Sequence, residues 1–163
     1  MSGHRAEIVE APELPAPAPD VSPELAEFWA ATSEGRLLLR RCTACGEPIW
    51  YPRPVCPFCH STETVWEEAS GVGHVYTYSV VRRGMGVYAS APYVLAYVEL
   101  DEGPRVMTNI VDCDVEEVRI GQPVEVVFHR TSEGTALPRF RPAGAAALVP
   151  AAPPSRRPNG GDA

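Results

Sequence analysis

Between residues 74 and 130 the chain repeatedly alternates apolar and polar positions. "HVYTYSVV" (74–81) and "PVEVVFHR" (123–130) carry the two-residue period of half-buried strands and are rich in β-branched and aromatic residues. "PYVLAYVEL" (92–100) is apolar on both faces, and "DEG" (101–103) is a tight-turn signal leading into "RVMTNIV" (105–111), so these two strands form a hairpin. "LPRFRPA" (137–143) supplies a final strand that closes the sheet. Several turn-separated strands without long intervening helices predict a small antiparallel barrel.

Upstream the period changes. Ser22-Pro23-Glu24 combines an N-cap residue, a first-turn proline and an acid at the positive end of a helix dipole. Leu25, Phe28 and Trp29 then share one face at i, i+3, i+4, and Gly35 is a stop, which predicts a helix over 22–34. Its aromatic face is suited equally to the barrel and to another subunit. "GRLLLRRC" (35–42) reads as a short strand. Residues 1–20 are rich in Pro, Ala and Glu and lack a face to bury, so they are expected to be a disordered arm, extended or mobile. Residues 144–163, mostly Ala, Pro, Gly and Arg, are expected to be a disordered tail.

Composition narrows the function. Of 163 residues 45% are hydrophobic, enough for a core, and the formal net charge is −7. An acidic chain is poorly suited to nucleic acid, whose phosphates need clustered cations. All 14 basic residues are Arg, so lysine-based covalent chemistry is excluded. The first residues show no signal peptide, and no run of about 18 apolar residues exists to span a membrane. The expected compartment is the cytoplasm, where disulfides are rare, so the five cysteines are read as metal ligands or buried thiols.

Four of them are patterned. "CPFCHS" (56–61) taken alone spells C-x-x-C-H, the attachment motif of c-type haem. A second C-x-x-C, Cys42 and Cys45, lies ten residues upstream of Cys56 and Cys59, and no export signal accompanies the haem motif. Two such turns supply the four thiolates of a closed structural zinc site. Gly46 allows the tight turn after Cys45, and "EPIWYPRPV" (47–55) is expected to be a small hairpin between the pairs. A closed four-sulfur site leaves no open position for substrate, so its role is folding. Zinc is the expected metal; iron fits the same sulfurs and would make an electron carrier. Cys113 stands alone and reads as a small buried hydrophobe.

Other candidates are contact residues. Arg36, Arg40, Arg41 and Arg53 surround the cysteines against Glu47, a local excess of positive charge that suits an anionic target or simply a solvated surface. Trp50 and Tyr51 sit on a hairpin too small to bury both, so one is expected at the surface or an interface. The loop "RRGMGVYASAP" (82–92) carries Arg82, Arg83 and Tyr88 at a barrel rim, where loops serve either as binding elements or as connectors. No His, Ser or Cys can be paired into a catalytic set.

Taken together, "GRLLLRRCTACGEPIWYPRPVCPFCHS", "GVGHVYTYSVV", "PYVLAYVELDEGPRVMTNIV", "IGQPVEVVF" and "LPRFRP" resemble, in this order over about residues 23–142, the zinc-ribbon OB-fold proteins once classed as a domain of unknown function. The resemblance implies a mainly β fold with an N-terminal helix (21–35), a rubredoxin-like zinc ribbon (36–66) and an OB-type antiparallel β-barrel (67–143). It carries the metal ligands over to Cys42, Cys45, Cys56 and Cys59, while His60 departs from the small residue usual after the last cysteine. It implies a non-catalytic accessory subunit, in a hetero-oligomer with a thiolase-superfamily acyl-CoA enzyme such as a thiolase, an acyltransferase or a steroid side-chain aldolase. Arg40, Arg41, Trp50, Tyr51, Arg53, Arg82, Arg83 and Tyr88 are then the candidate contacts to that partner or to acyl-CoA. A stand-alone acyl-CoA binder and a single-stranded nucleic-acid binder are the alternative readings.

Overall fold

The computed structural model describes residues 5–144. In chain order it contains β1 (Ile8–Val9), α1 (Ala26–Thr32), β2 (Leu38–Cys42), β3 (Pro48–Ile49), β4 (Thr64–Glu68), β5 (Val72–Val81), β6 (Tyr93–Leu100), β7 (Arg105–Ile110), β8 (Pro123–Arg130) and β9 (Ala136–Pro142). The five strands read from alternation are all present, displaced by at most two residues at their ends. The tail expected over 144–163 lies, apart from Gly144, outside the described residues.

β5 to β9 close into the OB-type barrel. β5 pairs antiparallel with β6, β6 with β7, and β8 with both β5 and β9. The circuit is completed by a parallel contact of β7 with β9 at a single position, Ile110 opposite Phe140. Val111 N–H donates to the Phe140 carbonyl at 2.8 Å just after it, and Thr108 Oγ1 reaches the Pro138 carbonyl at 3.2 Å just before it. Inward residues of alternating strands, among them Val75, Val94, Val98, Val106, Val124, Phe128 and Phe140, make the core.

The helix docks on this barrel and not on an outside subunit. Phe28, Trp29 and Ala31 are buried in the barrel's own cluster together with Leu37, Leu38 and Leu39 at the start of the ribbon. Its N-terminal turn, Pro23–Leu25, is a 3-10 turn in which Ser22 makes no side-chain cap, so the α-helix proper is shorter than expected. Proline at the first position suits either turn, and the three-residue 3-10 segment lacks the length to build an α-helical ladder.

The ribbon differs from expectation in one respect. Residues 47–55 are not a hairpin of their own: β3 alone forms there and pairs with β2, whose other edge pairs along its length with β4. β4 has no period-2 apolar signature in "TVWEE", and none of its residues is fully buried. It is held by the β2 ladder and by Trp66, which packs against the core.

The N-terminal arm is the larger correction. Residues 5–20 lie along the barrel, not free of it. Ile8 and Val9 pair parallel with Phe128 and His129, and Phe128 N–H donates to the Glu7 carbonyl at 2.9 Å. Near its start the arm crosses the end of α1, where Ala6 N–H donates to the Gly35 carbonyl at 2.9 Å. Gly35 has φ +75°, and a Cβ there would lie 2.5 Å from the Ala6 carbonyl oxygen, so only glycine permits the crossing.

Further along, Arg139 and His129, each 2% exposed, are covered by the strap. Arg139 donates from Nη1 to the Leu14 carbonyl at 2.7 Å and from Nη2 to that of Pro15. A proline-rich strand offers carbonyls without competing N–H groups, which is the chemistry a buried guanidinium needs. Salt bridges of Glu7 with Arg141 at 2.6 Å and of Glu10 with Arg130 at 3.2 Å hold the strap's first half.

Arg139 Nη1 also lies 2.8 Å from His129 Nδ1. Burial, and then the Arg139 charge, push the His129 pKa down to about 4, against a weaker upward pull from Asp112 and Glu7. The folded pKa lies below the ordinary value of 6.5, so the unfolded chain binds the extra proton. The stability that the neutral ring contributes is complete above about pH 6.5 and is lost as pH falls toward 4. His129→Gln keeps an acceptor for Arg139 but removes the titration. Denaturant unfolding across pH 7 to 4 is expected to show a shallower loss of stability in that variant than in wild type.

Candidate functional site: a four-sulfur cluster and an aromatic groove

The cysteine cluster is built by two matching turns. Cys42 ends β2 and Cys45 follows in the turn, where Gly46 N–H donates to the Cys42 carbonyl at 2.8 Å. Cys56 and Cys59 repeat the arrangement, with His60 N–H donating to the Cys56 carbonyl at 3.0 Å. Both closing residues are left-handed, Gly46 at φ +77° and His60 at φ +61°. His60 thus occupies a glycine-like position, and its side chain is exposed. The equivalence of the two turns was readable in the spacing; the strain on His60 was not.

All four sulfurs lie within 4.8 Å of one another. Cys42 Sγ is 3.6 Å from Cys59 Sγ, and Cys45 Sγ is 3.7 Å from Cys56 Sγ. These distances are far longer than a disulfide bond of about 2.05 Å. They fit four sulfurs placed about 2.3 Å from one tetrahedral ion, which sit roughly 3.8 Å apart. The arrangement is a site for one metal ion. Phe58 N–H points at Cys56 Sγ at 3.4 Å, the kind of contact that stabilises a thiolate. The Cys45 backbone N–H lowers the Cys42 pKa to about 7 against burial, whereas burial first, and then the neighbouring sulfurs, push Cys45 up to about 12.

The charge around the cluster is not the free positive patch the local sequence suggested. β4 places Glu67 and Glu68 opposite Leu39 and Leu38. Arg41 forks onto Glu67, its Nη2 reaching Oε1 at 2.7 Å, and Arg36 lies 3.5 Å from Glu68. Arg40 stacks over the Trp66 ring at 4.0 Å. Arg53 is exposed and donates to the Tyr51 carbonyl at 3.3 Å. Across the barrel Arg82 pairs with Glu116 at 2.7 Å, and Arg83 is exposed.

The aromatic candidates do converge. Trp50 and Tyr51 leave the ribbon beside Phe28 of α1, with ring centroids 5.7 and 6.0 Å from it. Trp50 is half-buried, while Tyr51 is 39% exposed. Between them and the β7–β9 edge lies a groove of about 600 Å³. Its walls are Phe28 and Trp29, Trp50 and Tyr51, Tyr88 from the 82–92 loop, Tyr97 and Met107 from the outer barrel face, and Leu137 and Pro138 from β9. Arg105, paired with Glu99 at 2.7 Å, and the buried Arg139 complete the lining, and among the described residues the buried Trp29 Nε1–H has no partner. Met107, Leu137 and Arg139 were not singled out in the sequence, because strand alternation marks them only as outward-facing. Cys113 is half-buried, and burial raises its thiol pKa.

Comparison with known families now decides the kinship. Residues 29–65 match the family model of the ChsH2 rubredoxin-like zinc ribbon domain, and residues 66–129 that of the ChsH2 C-terminal OB-fold domain. A "DUF35 domain-containing scaffold protein" of Methanocaldococcus jannaschii is 47% identical over 96 residues, 57% of this chain and 67% of the relative. The chain belongs to the ChsH2/DUF35 family. This DUF35 protein is also similar to a "Probable enoyl-CoA hydratase alpha subunit" of Thermomonospora curvata, at 36% identity over 81% of this chain, but it spans only 41% of that relative's length. It is 33% identical over 54% of its length to a "Benzoylsuccinyl-CoA thiolase subunit BbsA" of Geobacter metallireducens, of which it spans 58%. Among solved structures, an "Ltp2-ChsH2(DUF35) aldolase" chain matches with TM-score 0.70 and 36% identity, covering 78% of this DUF35 protein and all of the other chain.

Two measurements check the sulfur cluster. Replacing Cys42 and Cys59 together by Ser is expected to abolish tight metal retention and to unfold the ribbon, read by metal content after dialysis and by protease susceptibility. His60→Gly is expected to stabilise the metal-loaded protein by about 0.5–1 kcal/mol in denaturant unfolding, because it removes a left-handed non-glycine residue.

Proposed function

We propose that this DUF35 protein is a non-catalytic, zinc-braced accessory subunit of a thiolase-superfamily acyl-CoA enzyme, and that its aromatic groove receives part of the acyl-CoA. The observation that carries the reading is the groove itself, which neither the ribbon nor the barrel could form alone. The helix, the Trp50–Tyr51 turn and the β7–β9 edge each contribute one wall. Its apolar rings suit an acyl or pantetheine segment. The names of the relatives support the partner class, since they include a thiolase subunit and an aldolase assembly.

The division of labour follows from the chemistry of the chain. Four thiolates saturate a tetrahedral ion, so the metal's contribution is mechanical: it fixes the ribbon and thereby the Trp50–Tyr51 wall. Zinc is favoured over iron for a structural role because it has no redox chemistry to leak, and the free thiols fit a reducing cytoplasm. The bonds made and broken in the substrate are then the partner's work.

Tagged protein expressed in its native host is expected to co-purify with a thiolase-superfamily subunit, colourless and with one zinc per chain. Recovery of the chain alone would defeat the accessory reading, and a red preparation would reassign the metal to iron. In the recovered complex, Trp50→Ala is expected to weaken acyl-CoA binding about tenfold, the roughly 1.4 kcal/mol of one aromatic contact, with the complex still assembled. Unchanged affinity would remove the groove from substrate binding while leaving the partnership standing.

A further inference from the structure

One residue of the groove wall carries a reactivity that ligand binding does not use. Met107 is the one thioether among the described residues that line the groove. It lies on the outer face of β7, 59% exposed, between the buried Val106 and Thr108. Across the ladder it stands opposite Tyr97, another residue of the same wall.

A thioether is soft and apolar, which suits a wall of aromatic rings. A peroxide turns it into a polar group. The sulfur lone pair takes up one peroxide oxygen, the S–O bond forming as the O–O bond breaks. Sulfur is oxidised by two electrons, and the second peroxide oxygen leaves as water or as an alcohol. At 59% exposure the oxidant reaches Met107 without any unfolding.

The resulting sulfoxide is a strong acceptor and holds water. An apolar chain laid over it strips that water, and a polar group buried without a replacement donor costs free energy. The donors beside Met107 on this face already have partners. Asn109 Nδ2 donates to the Val94 carbonyl at 2.9 Å. Arg105 Nε donates to Glu99 Oε2 at 2.7 Å, and its guanidinium stacks on Tyr76 at 3.6 Å. Two side chains serve as internal comparisons. Met85 is 86% exposed but does not line the groove. Cys113 is half-buried, and burial keeps its thiol protonated, the less reactive form.

We propose that Met107 is a modification site through which hydrogen peroxide or an organic hydroperoxide, by oxidising the thioether to the sulfoxide, lowers the groove's affinity for apolar acyl chains. The proposal rests on the reading of the groove as an acyl-CoA site and adds a regulation to it.

Octanoyl-CoA is the probe. The recovered, metal-loaded complex is treated with hydrogen peroxide, quenched with catalase and titrated, with oxidised residues located by peptide mass spectrometry. Met85 and Met107 are both expected to gain one oxygen. Affinity is expected to fall about tenfold on oxidation in wild type and in Met85→Leu, and to hold in Met107→Leu, each compared with its own untreated sample. Met107→Gln places a polar amide at the position without any oxidant and is expected to weaken binding by a similar factor. The proposal is overturned if Met107 resists peroxide while Met85 is oxidised, or if neither its oxidation nor Met107→Gln changes affinity. It is equally overturned if oxidised Met107→Leu loses as much affinity as wild type, which would place the damage on cysteines or on the partner. Trp50→Ala reports on the groove separately. If that variant alone weakens binding, the groove stands and only the role of Met107 is lost; if nothing weakens it, both readings fall.

Discussion

Everything on the ribbon side of this protein depends on four sulfurs meeting at one point. The ribbon's private core is only Cys42, Ile49 and Cys56, too little apolar surface to order some thirty residues. β3 contributes two residues of pairing, and β4 adds to its ladder only the half-buried Trp66. A multivalent tie between Cys42 and Cys45 at one end and Cys56 and Cys59 at the other replaces that missing core. The same tie sets the exit of the chain at Trp50 and Tyr51, and so positions one wall of the groove. Metal and groove are thus one construction, though their atoms never touch.

The barrel side shows the complementary strategy. It has an ample core, and the groove lies along its least paired edge, where β7 and β9 share one registered position, Ile110 and Phe140. There α1 packs Phe28 and Trp29 against the barrel core while both residues also line the groove. Arg139 extends this economy to the far side of the wall. Its charge is carried by strap carbonyls and a neutral imidazole, without a carboxylate within salt-bridge distance among the described residues. The strap is consequently part of the fold and not an appendage, since without it a buried cation and a buried histidine would lose their surroundings.

Most of the architecture was readable from pattern. Strict alternation in "HVYTYSVV" and "PVEVVFHR", the "DEG" turn and the double C-x-x-C each have one economical structural solution, and each was found where expected. What escaped reading had weak local signals. β4 is a strand because β2 offers it an edge, so neither its composition nor its period announces it. The Pro-Ala-rich arm has no face to bury, but its carbonyls satisfy a guanidinium more than a hundred residues away. The apparent positive charge of Arg41 is cancelled in a similar way by Glu67, distant in sequence and on the neighbouring strand, whereas Arg36 is paired first with Glu34, two residues away, and then with Glu68.

The sequence by itself determined the elements and the metal-ready chemistry, because a strand's alternation and a C-x-x-C turn are set within a few residues. It also determined that no lysine chemistry accompanies them in the 163 residues. Only the tertiary structure decided where the helix docks, that the arm is a strap, that Trp50, Tyr51 and Tyr88 share one groove, and that Arg139 is buried against strap carbonyls. Those outcomes depend on which carbonyls, rings and charges from remote segments are brought within a few ångströms. Packing and hydrogen bonding of that kind have no period along the chain from which they could be read.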